Sequence, residues 1–395
     1  MAQHIIRGTS SLSNSASRSP SLNLVVTLRM TLGLVATLGS LISFLGTSWD
    51  IQWHVFVGRD RTLIPPHEMM LTGITVSGIA ALAVVVIETI WARQGRGLTK
   101  HVTTFAGLFS GPLGAYIIGF AALNGALAFP LDSYWHTLYG IDVTLWAPFH
   151  VMIISGMALI GFGAIYTFAS VTNLAASINA TRTRLAAHIG MIVAFATTLS
   201  LFTLLTFNAL DTDYLLNLGV ASLCLFPALV GLLYGSLLRA AAFTIPRKWV
   251  ATSVVGVSFL FVLIDQLAIP PALNWLMQIE QLTFRNVQHP NPPQIAIVAV
   301  EWPLLILVSA VLFDLCVQRA RKHNWSKRNL TIALALATFV GCIPLNIKNP
   351  TLAWDLVISL GVPGALLSIA VGFLGIYIGT KLGQNITETT STLEG

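Results

Sequence analysis

Two clusters of aspartate and histidine are the groups in this sequence best suited to metal chemistry. Each contains one aspartate and two histidines: Asp50, His54 and His67 in the first, and Asp132, His136 and His150 in the second. In both, the aspartate and the first histidine are 4 residues apart, and the second histidine follows after a further 13 or 14 residues. Imidazole suits Cu, Zn, Fe and Ni, and three protein ligands leave a coordination position open. The sequence therefore predicts two metal sites of one design.

The two clusters belong to an internal repeat. Each copy begins D-x-x-W-H, continues with G-x-D after three residues, and ends P-x-H-x-M. Further on, Gly73 of the first copy matches Gly156 of the second. Because only 9% of the chain is charged, two polar motifs of the same pattern point to a shared function rather than to solvated surface.

The composition predicts an all-α polytopic membrane protein. The 395 residues are 55% hydrophobic, the mean hydropathy is +0.78, and apolar runs of roughly 20 residues recur, the length that crosses a bilayer as a helix. About ten transmembrane helices are expected, at 22–46, 66–91, 102–127, 148–171, 187–210, 214–238, 249–269, 294–317, 330–346 and 352–380. The three cysteines lie singly in apolar runs, which is typical of small buried side chains.

The basic residues predict the topology. Of the Lys and Arg residues, 17 fall in the tails and in the even-numbered loops and 4 in the odd-numbered loops. Positive residues concentrate on the cytoplasmic side, so both termini are expected in the cytoplasm and both motifs on the outer face of a cell (plasma or inner) membrane. The net charge of +6 reflects this topology, and nucleic acid is not an expected partner.

The chain divides into three regions. Residues 1–21 are Ser-rich and polar, which predicts a disordered cytoplasmic tail. Residues 22–180 contain the first four spans, which form two repeated helix–motif–helix hairpins. Residues 181–385 contain six further spans without the motif, and their role is not indicated by the sequence.

Helix geometry predicts that each cluster converges. Residues four apart lie on one face of a helix, so Asp50 and His54 should share a face at or beyond the end of span 1. His67 follows Pro65-Pro66, and proline favours the first turn of a helix. A hairpin brings these ends together. Neighbouring carboxylates or carbonyls are expected to orient the histidines, with Asp60, Asp142 and Glu68 as candidates. Trp53 and Trp135 are expected to shield the site or to anchor the membrane interface.

The two motifs resemble those of a known family. The first is similar to the outer-face copper motif of the C subunit of particulate methane and ammonia monooxygenases, with Asp, His and His at the same spacing, and the second resembles that subunit's Asn-His-His motif. Here Ala147-Pro148-Phe149-His150 matches, whereas Asp132 stands where the family has Asn, which makes the second site more anionic. The resemblance covers residues 40–160 and implies copper bound by all six cluster residues.

Three functions follow from these patterns. The first is a copper-dependent membrane oxidoreductase, a monooxygenase-like protein acting with O₂ on a small apolar substrate; the sequence identifies no catalytic residue. The second is copper acquisition or transport, and the third is a non-catalytic metal-binding subunit. Zinc is the alternative metal. The lipid bilayer is the expected surrounding, with partner subunits or further copies of the chain as possible associates.

Four carboxylates within or near the apolar runs are further candidates for function, since intramembrane ionisable groups usually are. These are Glu88, Asp265, Glu301 and Asp314. Glu88 and Asp314 fall near the cytoplasmic ends of their spans, where a neighbouring arginine is expected to neutralise them.

Overall fold

The computed structural model describes residues 22–58, 63–95, 102–140, 144–210, 216–217, 222–285, 293–348 and 354–391. Most of them are helical. The helices are α1 (Leu22–Phe56), α2 (Pro65–Arg93), α3 (Leu113–Tyr139), α4 (Pro148–Ser177), α5 (Thr181–Leu204), α6 (Phe226–Thr244), α7 (Val250–Ile279), α8 (Ile297–Glu301), α9 (Leu305–Lys322), α10 (Lys327–Gly341) and α11 (Trp354–Ser391). The predicted tail 1–21 and the loop carboxylates Asp60 and Asp142 lie outside the described residues.

Eight of the described helices are long and apolar enough to cross a bilayer: α1 to α7 and the 364–390 part of α11. This agrees with a multi-pass all-α membrane protein. The predicted span 294–317 is divided between α8 and α9, and 330–346 corresponds to α10. α9 and α10 are 18 and 15 residues long. The last turn of α9 contains three basic residues, and at about 1.5 Å per residue α10 is shorter than the hydrocarbon core. The count of ten remains a prediction.

Two predicted spans begin later than the hydropathy pattern indicated. Residues 102–127 were expected to be helical, but Thr103–Phe105 (β1) and Phe109–Gly111 (β2) form an antiparallel hairpin, and α3 begins only after Pro112. Residues 214–238 contain a second short hairpin, Leu216–Asn217 (β3) with Ser222–Leu223 (β4), before α6. Gly107 with φ +68° closes the first hairpin, a backbone conformation that suits glycine. At both places the described residues pair as short strands before the helix begins.

The first four helices pack as two hairpins in contact. α1 lies along α2, α3 lies along α4, and α4 also packs against α1 and α5. A β-carbon added to Gly39 of α1 would lie 2.6 Å from the carbonyl oxygen of Gly73 on α2. One added to Gly156 of α4 would lie 2.8 Å from the backbone nitrogen of Gly125 on α3. Small residues allow such close backbone approach, and Gly73 and Gly156 are the glycines that match in the two motifs.

A buried ion pair joins three helices at the end of the bundle far from the clusters. The Arg29 guanidinium donates from Nε and Nη2 to the two carboxylate oxygens of Glu88, both at 2.8 Å, and from Nη1 to the Ser170 hydroxyl at 2.6 Å. Arg29 and Glu88 are fully buried. The expectation that an arginine neutralises Glu88 therefore agrees with the structure.

The other three intramembrane carboxylates have different surroundings, and an arginine partner was expected only for Asp314. Asp314 pairs with no arginine of the described residues but accepts hydrogen bonds from the backbone N–H groups of Ala251 and Thr252, at 3.2 and 2.7 Å. It thus caps the N-terminus of α7, where the helix dipole favours an anion. Glu301 accepts a hydrogen bond at 3.0 Å from the exposed Lys348. Asp265 of α7 is fully buried.

We expect Glu88→Gln to lower the free energy of unfolding by about 3–5 kcal/mol, because it leaves the Arg29 charge buried without its counter-ion. The matched control is Glu301→Gln, which breaks an ion pair whose lysine is 63% exposed and should cost about 0–1 kcal/mol. Thermal unfolding in detergent compares the two variants, and equal stability would contradict the structural role of the buried pair.

We also expect Gly73→Ala to destabilise the first hairpin by about 1–3 kcal/mol, as overpacking does in close-packed interiors. Its new methyl group would overlap the Gly39 carbonyl oxygen and the Ser43 hydroxyl. Gly119→Ala is the control, since no atom lies within 4 Å of the added carbon and alanine is the better helix former by about 1 kcal/mol. The unfolding temperature should fall for Gly73→Ala and rise for Gly119→Ala. A rise for Gly73→Ala would refute the close-packing account.

Candidate metal centre

The first cluster forms where α1 ends and α2 begins. Asp50 and His54 lie in the last two turns of α1, inside the helix rather than beyond it, and their spacing of four places them on one face. Pro65 and Pro66 open α2, and His67 is its third residue. Proline is well suited to that position because the first N–H groups of a helix have no intrahelical partner. The hairpin thus directs three side chains at one point.

The distances within the first cluster are those of a potential metal site. The Nε2 atom of His67 lies 3.0 Å from Oδ1 of Asp50, and the Nε2 atom of His54 lies 3.5 Å from the same oxygen. The ring centroids of the two histidines are 6.4 Å apart. All three ligand atoms fall within 4.8 Å of one another, a separation that a single ion can bridge.

The second cluster repeats this arrangement at the junction of α3 and α4. Asp132 and His136 lie near the end of α3, and His150 is the third residue of α4, which begins with Pro148. Nε2 of His136 lies 3.3 Å from one carboxylate oxygen of Asp132, and Nε2 of His150 lies 3.4 Å from the other. These ligand atoms also lie within 4.8 Å of one another.

Backbone carbonyls orient both histidines of the second cluster. Nδ1 of His150 is 2.7 Å from the carbonyl oxygen of Thr144, and Nδ1 of His136 is 3.2 Å from that of Gly140. A carbonyl only accepts, so each Nδ1 carries the proton. Each Nε2 then presents a lone pair to the cluster when the imidazole is neutral. Of the two expected kinds of partner, carboxylate or carbonyl, the second cluster uses carbonyls. The candidate carboxylate Glu68 is exposed on α2.

The electrostatics of this arrangement favour a cation. In the second cluster, two Nε2 lone pairs face a carboxylate whose side chain is 11% exposed. Lone pairs and an anionic oxygen this close repel one another, and burial strengthens the repulsion because the local dielectric is low. A metal ion or added protons must compensate this charge. The donor set therefore fits a divalent or monovalent transition-metal ion.

Both clusters open onto one cavity. Its wall includes Asp50, His54 and His67 from the first cluster, together with Asp132 and His150 from the second. The cavity volume is about 40 Å³, and a water molecule needs roughly 10–15 Å³ on the same measure. Only small molecules fit between the two sets of ligands.

An aromatic contact between the hairpins helps to form this shared space. The His67 ring lies edge-on to the ring of Phe129 on α3, with centroids 5.8 Å apart. Phe129 precedes Asp132 by three residues, so both side chains lie on the same face of α3. The first cluster is therefore partly enclosed by the helix that carries the second.

The two motif tryptophans do not line the cavity. Trp53 is 1% exposed and packs with Ile269 and Leu273 of α7. Trp135 packs against Tyr139 and Phe149, at centroid distances of 4.4 and 5.8 Å. Both serve packing beside the clusters, so the expected shielding of the site falls to other side chains.

Several residues of the cavity wall were not singled out by the sequence motifs. These include Thr47, Met70, Phe129 and Leu145. Thr47 and Met70 each lie three residues along their helix from a ligand, Asp50 and His67 respectively, so the helical period was the available signal. Leu145 and Phe129 belong to the other hairpin, and no spacing rule connects them with the first cluster.

The cysteines take no part in either cluster. Cys224 lies between β4 and α6, and its thiol donates to the Ala209 carbonyl at 3.3 Å. Burial raises the pKa of this thiol, which keeps it in the neutral form that binds metals poorly. Cys224 and Cys342 are buried, as expected of small apolar side chains, whereas Cys316 is only partly buried.

Comparison of the chain with protein-family models, curated proteins and solved structures finds no match. What the structure itself establishes is a helical membrane-type protein with two Asp-His-His groups whose geometry can hold a metal ion.

We expect Asp132→Asn to weaken divalent-metal binding at the second cluster by about tenfold or more, equivalent to roughly 1.4 kcal/mol, because it removes the only formal negative charge among the three ligands. Competition titration against a chelator measures the affinity. Glu68→Gln is the control, since it makes the same carboxylate-to-amide change at an exposed position next to His67. Equal affinities in the two variants would contradict a contribution of the Asp132 charge to metal binding.

Proposed function

We propose that this chain is a copper-binding integral membrane protein and a copper-dependent oxidoreductase of the monooxygenase type. Its two Asp-His-His clusters are the copper sites. The observation that carries the proposal is the arrangement of two three-ligand clusters, each with Nε2 atoms directed at a carboxylate, around one small cavity.

Three ligands per cluster favour a reactive or exchangeable metal over a structural one. Structural zinc sites are closed by four protein ligands, whereas sites for chemistry keep a position open. Imidazole and carboxylate accept both Cu(II) and Zn(II). The resemblance of the two motifs to the copper motifs of particulate methane and ammonia monooxygenases supports copper, with zinc as the alternative metal.

The residues of the chain have separable roles in this proposal. Asp50, His54 and His67 bind one ion, and Asp132, His136 and His150 bind the other. Bound copper supplies one-electron chemistry toward O₂. The carbonyls of Gly140 and Thr144 hold two of the imidazoles in the tautomer that leaves Nε2 free. Apolar side chains such as Phe129 and Ile153 form the rest of the wall, which limits water and admits a small apolar substrate.

The distribution of basic residues supports a location for these sites. Lys and Arg are concentrated in the loops at the opposite end of the helices from the motifs, which favours a plasma or inner membrane with the clusters on the outer face and both termini in the cytoplasm. Oxidoreductase activity requires an electron donor. We propose that the donor binds to partner subunits or to further copies of the chain. Residues 181–385 are proposed to support the two hairpins.

Copper acquisition without catalysis is the second candidate function. One observation favours it: Met70 lies in the cavity wall beside the ligands, and thioethers prefer Cu(I). Consumption of O₂ by the copper-loaded protein in the presence of small hydrocarbons or ammonia separates the two functions, since an acquisition protein would show none above that of the metal-free protein.

Metal analysis of the purified protein tests the proposal. We expect His54→Ala/His67→Ala and His136→Ala/His150→Ala each to lose about one copper ion per chain, because each pair supplies two of three ligands. His188→Ala/His323→Ala removes the same number of histidines from positions outside both clusters and should keep the wild-type content. Equal metal content in all four proteins would refute copper binding by the clusters.

A further inference from the structure

Two methionine side chains meet beside the first cluster. The hydroxyl oxygen of Thr47 lies 3.2 Å from the sulfur of Met70 and 3.9 Å from the sulfur of Met157. The three residues come from α1, α2 and α4, respectively. All three are buried, with exposures of 4%, 3% and 0%. Two thioether sulfurs are therefore gathered at one polar atom in the buried interior.

The Thr47 hydroxyl leaves these sulfurs available as ligands. It carries one proton, and its best acceptor is the Ser43 carbonyl oxygen one turn earlier, at 2.8 Å. A carbonyl oxygen is a stronger acceptor than a thioether, which is a weak one. The sulfur lone pairs are thus not occupied by a strong hydrogen bond.

Helix geometry places this pair next to the proposed copper ligands. Thr47 and Met70 are each one turn deeper than a ligand, Asp50 and His67, or about 4.5 Å along the axis. Both line the cavity that the clusters share. Side chains lean toward the N-terminus of their helix. Because α2 and α4 begin at the cluster end, the side chains of Met70 and Met157 lean toward the cavity.

Another buried methionine, Met191, has the surroundings expected of a side chain that only fills space in the core. Met191 of α5 is 1% exposed and belongs to the apolar core. No polar contact of its sulfur is described, and it lies away from the cavity wall. Methionine often fills gaps in cores because its side chain is flexible, but that role does not require two sulfurs from different helices to meet at a hydroxyl beside a site.

We propose that Met70 and Met157 form a soft site for a monovalent d¹⁰ cation, Cu(I), directly below the first Asp-His-His cluster; this rests on the proposed function in assigning the ion to copper. Thioethers are soft, neutral ligands that select Cu(I), whereas the carboxylate and imidazoles above suit Cu(II) and Zn(II) as well. The nearby Asp50 carboxylate compensates the single positive charge, which neutral sulfurs cannot do.

The site gives the cavity two ligand sets of different character. Divalent ions are expected to bind at the Asp-His-His clusters and monovalent copper at the thioether pair. The flexible side chains of Met70 and Met157 allow the sulfurs to converge on one ion without movement of the helices.

Binding of Ag(I), which is monovalent and inert to redox change, tests the site in the full-length purified protein. We expect the Met70→Leu/Met157→Leu variant to bind one Ag(I) ion per chain fewer than the wild-type protein does. The Zn(II) content of the two proteins should be equal. Met-to-Leu changes conserve volume and usually cost less than about 1.5 kcal/mol. The control Met30→Leu/Met191→Leu removes one core methionine and one that packs against the core, and it should bind Ag(I) as wild type does. The cysteines are common to all three proteins.

A second measurement does not depend on the double variant. In wild-type protein labelled with ¹³C at the methionine methyl groups, one equivalent of Ag(I) should shift the two resonances that the single Met70→Leu and Met157→Leu variants assign. Unchanged resonances, or equal Ag(I) binding in all the variants, would overturn the thioether site without affecting the proposed function. Loss of Ag(I) binding in the methionine variant, combined with no divalent metal at the histidine clusters, would support the soft site and refute the proposed function.

Discussion

The close approach of paired helix backbones is the constraint on which the candidate metal centre depends. At the contacts of Gly39 with Gly73 and of Gly125 with Gly156, no side chain separates the two helices. This fixes the separation of the helix ends a few turns away, where the ligands lie. A wider hairpin would leave the histidine of the second helix out of reach of the aspartate on the first. Dispersion forces and backbone contacts provide the attraction, since apolar surface gains little by leaving lipid.

This packing keeps the polar groups of each cluster close together in a buried position, which is energetically unfavourable without a compensating charge. Each gathers a carboxylate and two imidazoles at a partly or fully buried position, where separated polar groups are costly. The Arg29–Glu88 pair shows the other solution to the same problem: a buried anion satisfied by a bidentate guanidinium. No described arginine or lysine pairs with Asp50 or Asp132. Glu88 is satisfied by a guanidinium, whereas Asp50 and Asp132 face imidazole nitrogens. This difference is the physical basis for assigning function to the clusters.

The two hairpins share a motif but have different surroundings. Trp53 is enclosed by α7, whereas Trp135 packs locally on Tyr139 and Phe149. The second cluster is oriented by carbonyls from the residues that connect α3 and α4. Beside the first cluster lie the Met70 and Met157 sulfurs. Two sites of one ligand set are therefore expected to differ in affinity and in preferred oxidation state, because their neighbours differ in charge and softness.

The sequence by itself determined the membrane class, the six residues of the two clusters and the helix-end position of each ligand. These depend on composition, on the period of the helix and on the preference of proline for the first turn, all of which are local. Hydropathy misplaced the starts of α3 and α6, because the short strands β1 to β4 contain apolar residues. The position of Asp314 at the N-terminus of α7 was likewise set by the packing of α9 against α7. Only the tertiary structure decided that the two clusters face one cavity and that Met70 meets Met157 at Thr47. These contacts join different helices, whose relative placement is set by packing between the hairpins. Such packing leaves no periodic signal in the sequence.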